Sequence, residues 1–193
     1  HSKINQRPQF VRAHNIESDY YKMLAIAEKN IIPKLYLFTE HLKIKFYEKR
    51  LKNANVILSI SQKDHEHFNS IGNSHYIKAF HPNKYVSSKT GIGEYAIYHG
   101  NLSVAENENA ALYLIKQVFK KIDYPFVIAG HKTGKRLRKE ISKHNHIRLV
   151  ENPEEELLDN LIKNAQIQVL YTQQATGIKL KLLKSLYHGR HCI

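Results

Sequence analysis

The stretch IQVLYTQQATGIKLKLLKSLYHGRHCI, residues 167–193, predicts a buried strand, a short polar loop and a helix. Residues 167–171 are apolar and contain β-branched side chains, which is typical of a covered strand in a parallel sheet. The QQATG segment that follows is rich in loop-forming residues, and leucines recur at helical spacing from Leu180 onward. A strand, a loop and a helix in this order predict one unit of an α/β protein.

The first turn of this helix, near Gly177, is a candidate anion-binding site. It exposes backbone amides at the positive end of the helix dipole, and Lys179 and Lys181 add two cations. In open α/β sheets, ligands bind at the carboxyl ends of the strands, where this turn is expected to lie. A diphosphate would fit this charge pattern. The alternative is that both lysines belong to a solvated face and only improve solubility.

The same alternation runs through the second half of the chain. The pattern predicts strands at 94–101, 124–130 and 146–152 and, after each of them, helices at 106–121, 135–144 and 154–165. Four consecutive strand-helix units predict a parallel sheet with right-handed crossovers and with helices on both faces, which is a Rossmann-like domain. The chain stops at His191, Cys192 and Ile193, where a further strand is expected to begin.

The first half predicts similar elements with less regular spacing. Strands are expected within 9–15, 55–61 and 74–80, and helices at 18–29, 33–53 and 63–68, the last of them capped by Ser61. The turn-rich stretch 81–93 has little to pack and predicts a linker. We therefore divide the chain into domains at 1–85 and 86–193.

The positive charge of the chain indicates an anionic partner unless it has another explanation. Lys and Arg number 30 against 17 Asp and Glu, a formal net charge of +13 that suits nucleic acid, an acidic membrane or a nucleotide. No aromatic pattern typical of RNA-binding sheets is present, so no nucleic-acid partner is expected. Within the basic segment LKIKFYEKRLKNA, the apolar residues Leu42, Ile44, Phe46, Tyr47 and Leu51 form either a core-facing stripe, which we favour, or a surface that rests on an anionic membrane.

The number and spacing of the cysteines and histidines limit the chemistry that the chain can perform. Cys192 is the only cysteine, which excludes an intramolecular disulfide and favours a reducing compartment. We therefore expect a cytoplasmic protein, with peripheral contact at the inner face of the membrane left open. His65 and His67 lie two residues apart, a spacing that does not align side chains on a helix, so no metal site is expected.

Six segments together resemble a known family. YHGNLSVAENENAALYLI, FVIAG, IRLVENPEEELLDNLIKNAQIQVLY and TGIKLKLLKSLYHGR have the order and spacing of the C-terminal domain of family 4 GT-B glycosyltransferases. VRAHNIESDYY and the later NVILSISQKD resemble the back part of the N-terminal, acceptor-side domain of these enzymes. The resemblance covers nearly all of the chain. It implies two Rossmann-like parallel-sheet domains of the GT-B type, both incomplete, with residues missing at both ends.

The resemblance implies a transferase that moves a sugar from a nucleotide-diphosphate-sugar donor to a glycan or lipid-linked acceptor, in polysaccharide or cell-envelope synthesis. It implies retaining chemistry without a metal or a cofactor, and we expect this chain alone to be inactive. Lys179 and Lys181 would stabilise the leaving diphosphate. Further donor-binding residues would be Gly100, Asn101, Gly130 and Gly177. Gly100 has an alternative role in a tight turn, and Gly130 has one in packing.

His14 matches a histidine that this family often carries near the transferred sugar, and it is the candidate catalytic residue; its alternative role is structural. Many members also carry two glutamates eight positions apart around the last helix, where this chain has Thr176 and Lys184. The family's arginine and lysine after the first glycine of the domain are absent from GNLSVAENEN. Two alternatives therefore stay open: a non-catalytic nucleotide- or sugar-binding homologue, and a basic module that binds nucleic acid or an anionic surface.

Overall fold

The computed structural model describes residues 7–28, 30–172 and 180–193. The chain forms two compact units, one up to Phe80 and one from His81 onward. Each unit has its own sheet, and every strand pair in the described residues is parallel. This architecture confirms the predicted α/β class with two Rossmann-like parallel sheets.

The first unit contains a three-stranded sheet in the order β1-β2-β3. The strands are β1 Phe10–Ala13, β2 Val56–Ser59 and β3 Ser74–Tyr76. Two helices, α1 Glu17–Ala27 and α2 Ile31–Glu48, lie between β1 and β2 in the chain, and α2 continues as a 3₁₀ helix at Lys49–Asn53. Helix α3, Gln62–Asn69, connects β2 to β3. The Ser61 hydroxyl accepts a hydrogen bond from the Asp64 amide at 3.1 Å, which confirms the predicted cap.

A buried polar cluster joins α1 to α2. The Glu48 carboxylate accepts hydrogen bonds from the Ser18 amide at 3.0 Å and from the Ser18 hydroxyl at 2.7 Å. His41 donates from Nδ1 to the Ser18 carbonyl at 2.7 Å, since a carbonyl can only accept. Ser18 lies in the first turn of α1, so Glu48 satisfies an amide that the helix itself leaves unpaired.

The predicted core-facing stripe of α2 is wrong for three of its five residues, whereas Leu51 packs against the core of this unit and Ile44 is half-buried. Leu42, Phe46 and Tyr47 are 41%, 69% and 66% exposed. The buried residues of α2 are instead His41 and Glu48, which face α1. Because the packed face of the helix is partly polar, its large apolar side chains lie outside that face. The core of this unit is correspondingly small, with the buried residues Ala13, Ile16, Ile57 and Phe68.

The second unit contains a five-stranded sheet in the order β6-β5-β4-β7-β8. The strands are β4 Ala96–Asn101, β5 Phe126–His131, β6 Ile147–Glu151, β7 Ile167–Gln168 and β8 His191–Cys192. The helices are α4 Ala105–Tyr113, continued by a π-helical segment at Leu114–Phe119, and α5 Lys135–Ile141, α6 Glu155–Asn164 and α7 Leu180–His188. All the predicted strands are present, including the one that begins at His191.

Helices cover both faces of this sheet, as the alternation of units predicts. On one face, Ala96 and Tyr98 of β4 pack with residues of α4 and α5. On the other face, Ile97 packs with Leu161 and Ile162 of α6. Neighbouring residues of a strand point to opposite faces, so β4 is buried on both sides and reads as a continuous apolar run.

The stretch 81–93 has more contacts than its composition suggests. The Ser87 amide donates to the Tyr187 carbonyl at 2.7 Å, and the Lys89 ammonium donates to the Asn164 side chain at 2.6 Å. These bonds attach the stretch to the second unit, so the expectation that it has little to pack is wrong. The division at 1–85 and 86–193 stays a prediction.

Candidate anion-binding site at the switch point of the second sheet

The order of the strands locates the crevice where a ligand would bind. The chain runs from the central strand β4 outward to β5 and β6, and then returns to the other side of β4 with β7 and β8. The sheet therefore reverses its direction of growth between β4 and β7. In open α/β sheets the connections diverge at such a point, and ligands bind in the crevice at the carboxyl ends of the two strands.

Gly100 and Asn101 end β4 at this crevice. The Asn101 side-chain oxygen accepts from the amide and the hydroxyl of Ser103, at 3.1 and 2.7 Å, and the Asn107 amide group donates to the Asn101 carbonyl at 2.9 Å. These bonds shape the turn into α4. A Cβ at Gly100 would meet only the Asn107 side chain, at an ordinary contact distance of 3.5 Å. Packing within the chain therefore does not require a glycine here, and the backbone stays open to a ligand.

Gly130 has a different role from that of its register partner Gly100. A Cβ at Gly130 would overlap the Gly100 carbonyl oxygen and lie 2.8 Å from Cγ of Leu102, closer than real Cβ contacts. The close approach of β4 to β5 therefore requires this glycine, in agreement with the packing alternative. Its assignment to donor binding stays a prediction.

Lys181 lies in the first turn of α7 and close to β4. Its ammonium is 5.0 Å from the centre of the Tyr98 ring, which is a favourable cation–π distance. Tyr98 is fully buried, and burial raises the pKa of its hydroxyl. The charge of Lys181 also lowers the pKa of His99, the next residue of β4. An ammonium that acts on both residues is well placed to attract an anion to the carboxyl end of this strand.

His99 is a functional candidate that the sequence analysis missed. It is 6% exposed, and its Nε2 has no hydrogen-bond partner. Burial lowers its pKa to about 4, helped by the charges of Lys181 and Lys184, while Asp159 opposes the shift. The imidazole is therefore neutral at pH 7. A histidine inside an otherwise apolar strand, directly before a glycine, is the sequence signal that could have identified it.

A second missed contact bridges the two sides of the crevice. The Thr172 hydroxyl, which follows β7, donates to the carboxylate of Glu106 in the first turn of α4. Because α4 follows β4, this bond joins the segments that leave the two strands at the switch point. The crevice thus contains a carboxylate as well as the ammonium of Lys181.

Lys184, one of the two positions that depart from the family pattern, is occupied by ion pairs. Its ammonium lies 2.6 Å from Asp159 and 3.4 Å from Glu155, both on α6. Its side chain therefore attaches α7 to α6. The other departure, Thr176, lies outside the described residues, as do the predicted site residues Gly177 and Lys179.

His14 belongs to the first unit. It directly follows β1, so it lies at the carboxyl end of that sheet, and its side chain is exposed. The adjacent Asn15 has a buried side-chain oxygen without a hydrogen-bond partner. An exposed histidine in this position is available to a ligand, and its catalytic role stays a prediction.

The described part of the second unit also has cavities away from the switch point, of which two are large. One, of about 370 Å³, opens at the carboxyl end of β6 and is lined by Glu151, Glu154 and Glu156, among others. Three carboxylates suit a diphosphate poorly, so we retain the switch point as the candidate anion site. The other, of about 570 Å³, lies beside β8. In the part of the chain that the structure describes, no group of three or more His, Cys, Asp or Glu residues could hold a metal ion.

Comparisons with known proteins define the class of fold. No protein-family model matches the chain, and no curated protein sequence matches it. Sucrose-phosphate synthase from Thermosynechococcus elongatus aligns with a TM-score of 0.66 at 12% identity, over 91% of this chain and 47% of its own. A TM-score of 0.66 at such low sequence identity shows that the two chains share a fold.

Two further solved structures have the same fold. A mutant of S. aureus TarM, in complex with fondaparinux, alpha-GlcNAc-glycerol and UDP, aligns with a TM-score of 0.62 at 12% identity, over 78% of this chain and 32% of its own. The pneumococcal O-GlcNAc transferase GtfA, in complex with UDP and GlcNAc, aligns with a TM-score of 0.52 at 14% identity, over 72% and 30%. The fold is that of GT-B glycosyltransferases, and the chain spans between about a third and a half of the length of these proteins.

Proposed function

We propose that the protein is a glycosyltransferase that moves a sugar from a nucleotide-diphosphate-sugar donor to a glycan or lipid-linked acceptor, in polysaccharide or cell-envelope synthesis. The GT-B fold supports this proposal, as do the UDP and sugar ligands in the structures of TarM and GtfA. The cytoplasmic location expected from the single cysteine is part of the same proposal.

The observation that carries the proposal is the position of the Lys181 ammonium beside β4, the strand that ends with Gly100 and Asn101 at the switch point. Gly100 leaves room at the end of β4, and the Lys181 ammonium lies over the neighbouring Tyr98 ring. A diphosphate needs cationic groups together with a backbone that it can approach closely. Both are present at the strand ends where α/β sheets bind nucleotides.

The proposed chemistry is transfer with stabilisation of the leaving group. The bond between the sugar and the diphosphate breaks, and the acceptor oxygen forms the new bond to the sugar. Negative charge develops on the diphosphate, where Lys179, Lys181 and the start of α7 would stabilise it. His14 would hydrogen-bond the transferred sugar. Retention of configuration, without a metal or a cofactor, is what the family resemblance implies.

One observation favours a second candidate, a homologue that binds the donor without turnover. At position 184, where many family members have a glutamate, the lysine is paired with Asp159 and Glu155 of α6. Among the described residues, the carboxylates that form ion pairs at this position, Asp159 and Glu155, are both engaged by the lysine. Such a protein would bind the same nucleotide as an active enzyme, and only a turnover assay distinguishes the two.

The test of the proposal is calorimetric titration of the protein at its natural length with UDP, GDP and a short DNA duplex, at two salt concentrations. We expect selective binding of one nucleotide diphosphate. Lys181→Gln should weaken that binding by about tenfold or more, because a charge-assisted hydrogen bond contributes about 1.5–3 kcal/mol. Lys135→Gln, which removes a charge from exposed α5, should leave it unchanged.

DNA binding that is sensitive to salt, without preference among the nucleotides, would contradict the proposal and favour a basic binding module. If one nucleotide binds selectively, release of nucleotide diphosphate from the matching sugar donor is measured next. Turnover supports the transferase, whereas binding without turnover supports the non-catalytic homologue.

A further inference from the structure

One side of α2 carries an apolar stripe that the rest of the described chain leaves exposed. Five large side chains recur at intervals of three or four residues, which places them on one side of a helix. The exposed fractions of these five side chains range from 41% to 73%: Ile31 at 73%, Leu35 at 60%, Phe38 at 49%, Leu42 at 41% and Phe46 at 69%.

A row of lysines runs along one edge of the stripe. At 100° per residue, Lys34, Lys45, Lys49 and Lys52 fall on the same side of the helical segment, and all four are exposed. The Lys49 ammonium lies 5.3 Å from the centre of the Phe46 ring, so the basic row and the apolar stripe are in contact. Long lysine stems can lie along an apolar surface while their ammonium groups reach a polar phase.

Acidic side chains do not neutralise this row. Between residues 34 and 52 the only acids are Glu40 and Glu48. Glu40 is paired with Lys43 at 2.7 Å, and Glu48 is buried against Ser18. The stripe and its edge therefore form a continuous apolar and cationic surface.

The charge pattern favours an anionic lipid bilayer as the partner. An amphipathic helix with aromatic and aliphatic residues beside lysines is the type that lies in the headgroup region of a bilayer. A second copy of the same helix would bring two rows of lysines together, which is repulsive. In the described parts of the chain, no helix is long and apolar enough to cross a membrane, so α2 would lie on the bilayer.

We propose that the stripe of α2 and its lysine row bind the surface of an anionic bilayer, with the helix parallel to the plane of the headgroups. This surface belongs to the first unit and shares no residue with the switch point of the second, so it is independent of the donor site. A glycosyltransferase held in this way would reach lipid-linked acceptors at the bilayer surface.

The test measures partitioning of the protein, at its natural length, onto sedimenting vesicles of phosphatidylcholine with and without phosphatidylserine. We expect binding that requires phosphatidylserine and weakens with salt. The triple variant Lys34→Gln, Lys45→Gln and Lys49→Gln should bind about 100-fold more weakly, at about fivefold per lysine. The matched control Lys121→Gln, Lys135→Gln and Lys139→Gln removes three exposed charges elsewhere and should retain most of the binding.

A second variant tests the apolar stripe directly. In a Cys192→Ser background, Phe38→Cys is labelled with an environment-sensitive dye, whose emission should shift to the blue when anionic vesicles are added. A dye that is already blue-shifted without vesicles would show that another part of the protein, or a second copy, covers the stripe, and would overturn the proposal. Equal losses in the two triple variants, or binding to a DNA duplex in place of vesicles, would also overturn it.

Nucleotide binding by calorimetry distinguishes this inference from the proposed function. The vesicle variants keep Lys181 and Gly100, so they should bind the nucleotide as the unmodified protein does. A failure of vesicle binding with intact nucleotide binding would refute only the membrane surface. If the unmodified protein binds vesicles but shows no preference among nucleotides, only the proposed transferase function is refuted.

Discussion

Gly100 and Gly130 are register partners on neighbouring strands, yet alanine should act very differently at the two positions. At Gly130 the new methyl group would overlap the Gly100 carbonyl oxygen and lie 2.8 Å from Cγ of Leu102. At Gly100 it would meet only the Asn107 side chain, at 3.5 Å. The first substitution should damage the sheet, and the second should narrow the crevice at the end of β4.

The geometry sets the size of each effect. Overpacking of a well-packed interior costs about 1–3 kcal/mol, and replacing glycine at a compatible backbone position returns about 0.4–1 kcal/mol through the unfolded chain. Gly130→Ala should therefore lose about 2 kcal/mol, because the obstacle is backbone that cannot rotate away. Gly100→Ala should gain up to about 1 kcal/mol, because the nearest described atoms, those of the Asn107 side chain, lie at an ordinary contact distance.

The assay pairs thermal unfolding with nucleotide titration. At about 2–4 °C per kcal/mol for a chain of this size, Gly130→Ala should melt about 4–8 °C lower, whereas Gly100→Ala should melt at the same temperature or slightly higher. Gly100→Ala should nevertheless bind the preferred nucleotide diphosphate about tenfold more weakly, which corresponds to about 1.4 kcal/mol of lost affinity.

Two results would refute this reasoning. If Gly100→Ala unfolds as readily as Gly130→Ala, then the space at Gly100 is needed for packing. If Gly100→Ala keeps full nucleotide affinity while Lys181→Gln does too, then the carboxyl end of β4 is not the donor site. The melting temperature of Gly100→Ala, measured in the same experiment, serves as the control: if it is unchanged, a loss of affinity is not caused by unfolding.

Three further predictions concern polar and charged groups. The pKa of His99 is about 4 in the folded chain and 6.5 ordinarily, so the unfolded chain takes up the proton first as the pH falls. Stability should therefore decrease between pH 6.5 and pH 4, by up to about 3 kcal/mol, and His99→Gln should remove that slope in pH-dependent unfolding. Ser18→Ala should destabilise the first unit by about 1–3 kcal/mol in denaturant unfolding, because it leaves the buried Glu48 carboxylate with one hydrogen bond fewer; an unchanged midpoint would show that Glu48 is hydrated there. Lys184→Glu should lower the melting temperature more than Lys184→Met, since it places a carboxylate against Asp159, and equal effects would mean that charge repulsion at this position does not affect stability.

The sequence predicts most of the fold. Strands and helices of the second unit follow from the alternation of apolar runs with helical periodicity, because each unit must bury one side of its helix on a strand. The strand that begins at His191 and the cap at Ser61 follow from local signals of the same kind. The exact strand limits differ: β7 is paired only at Ile167–Gln168, although the Val169 amide still donates to the Ile97 carbonyl at 2.8 Å.

The candidate site was predicted in part. Gly100 and Asn101 end β4, and the Lys181 ammonium lies 5.0 Å from the ring of Tyr98 in the middle of that strand. Their roles in donor binding stay predictions. His99 and the bond between Thr172 and Glu106 were not predicted, because their importance arises from burial and from a contact between segments that are far apart in the chain. The catalytic role of His14 stays a prediction.

The sequence by itself determined which segments form strands and helices and that the sheets are parallel, since these depend on patterns within short windows. The tertiary structure alone decided which face of α2 is buried, because Glu48 bonds Ser18 thirty residues away and turns the apolar stripe outward. It likewise decided that packing requires glycine at position 130 but not at position 100, a difference that depends on how closely one strand approaches its neighbour. Local sequence patterns indicate the average burial of a segment. Which helix face is buried, and which glycine is required, depend on contacts that form only when distant segments meet.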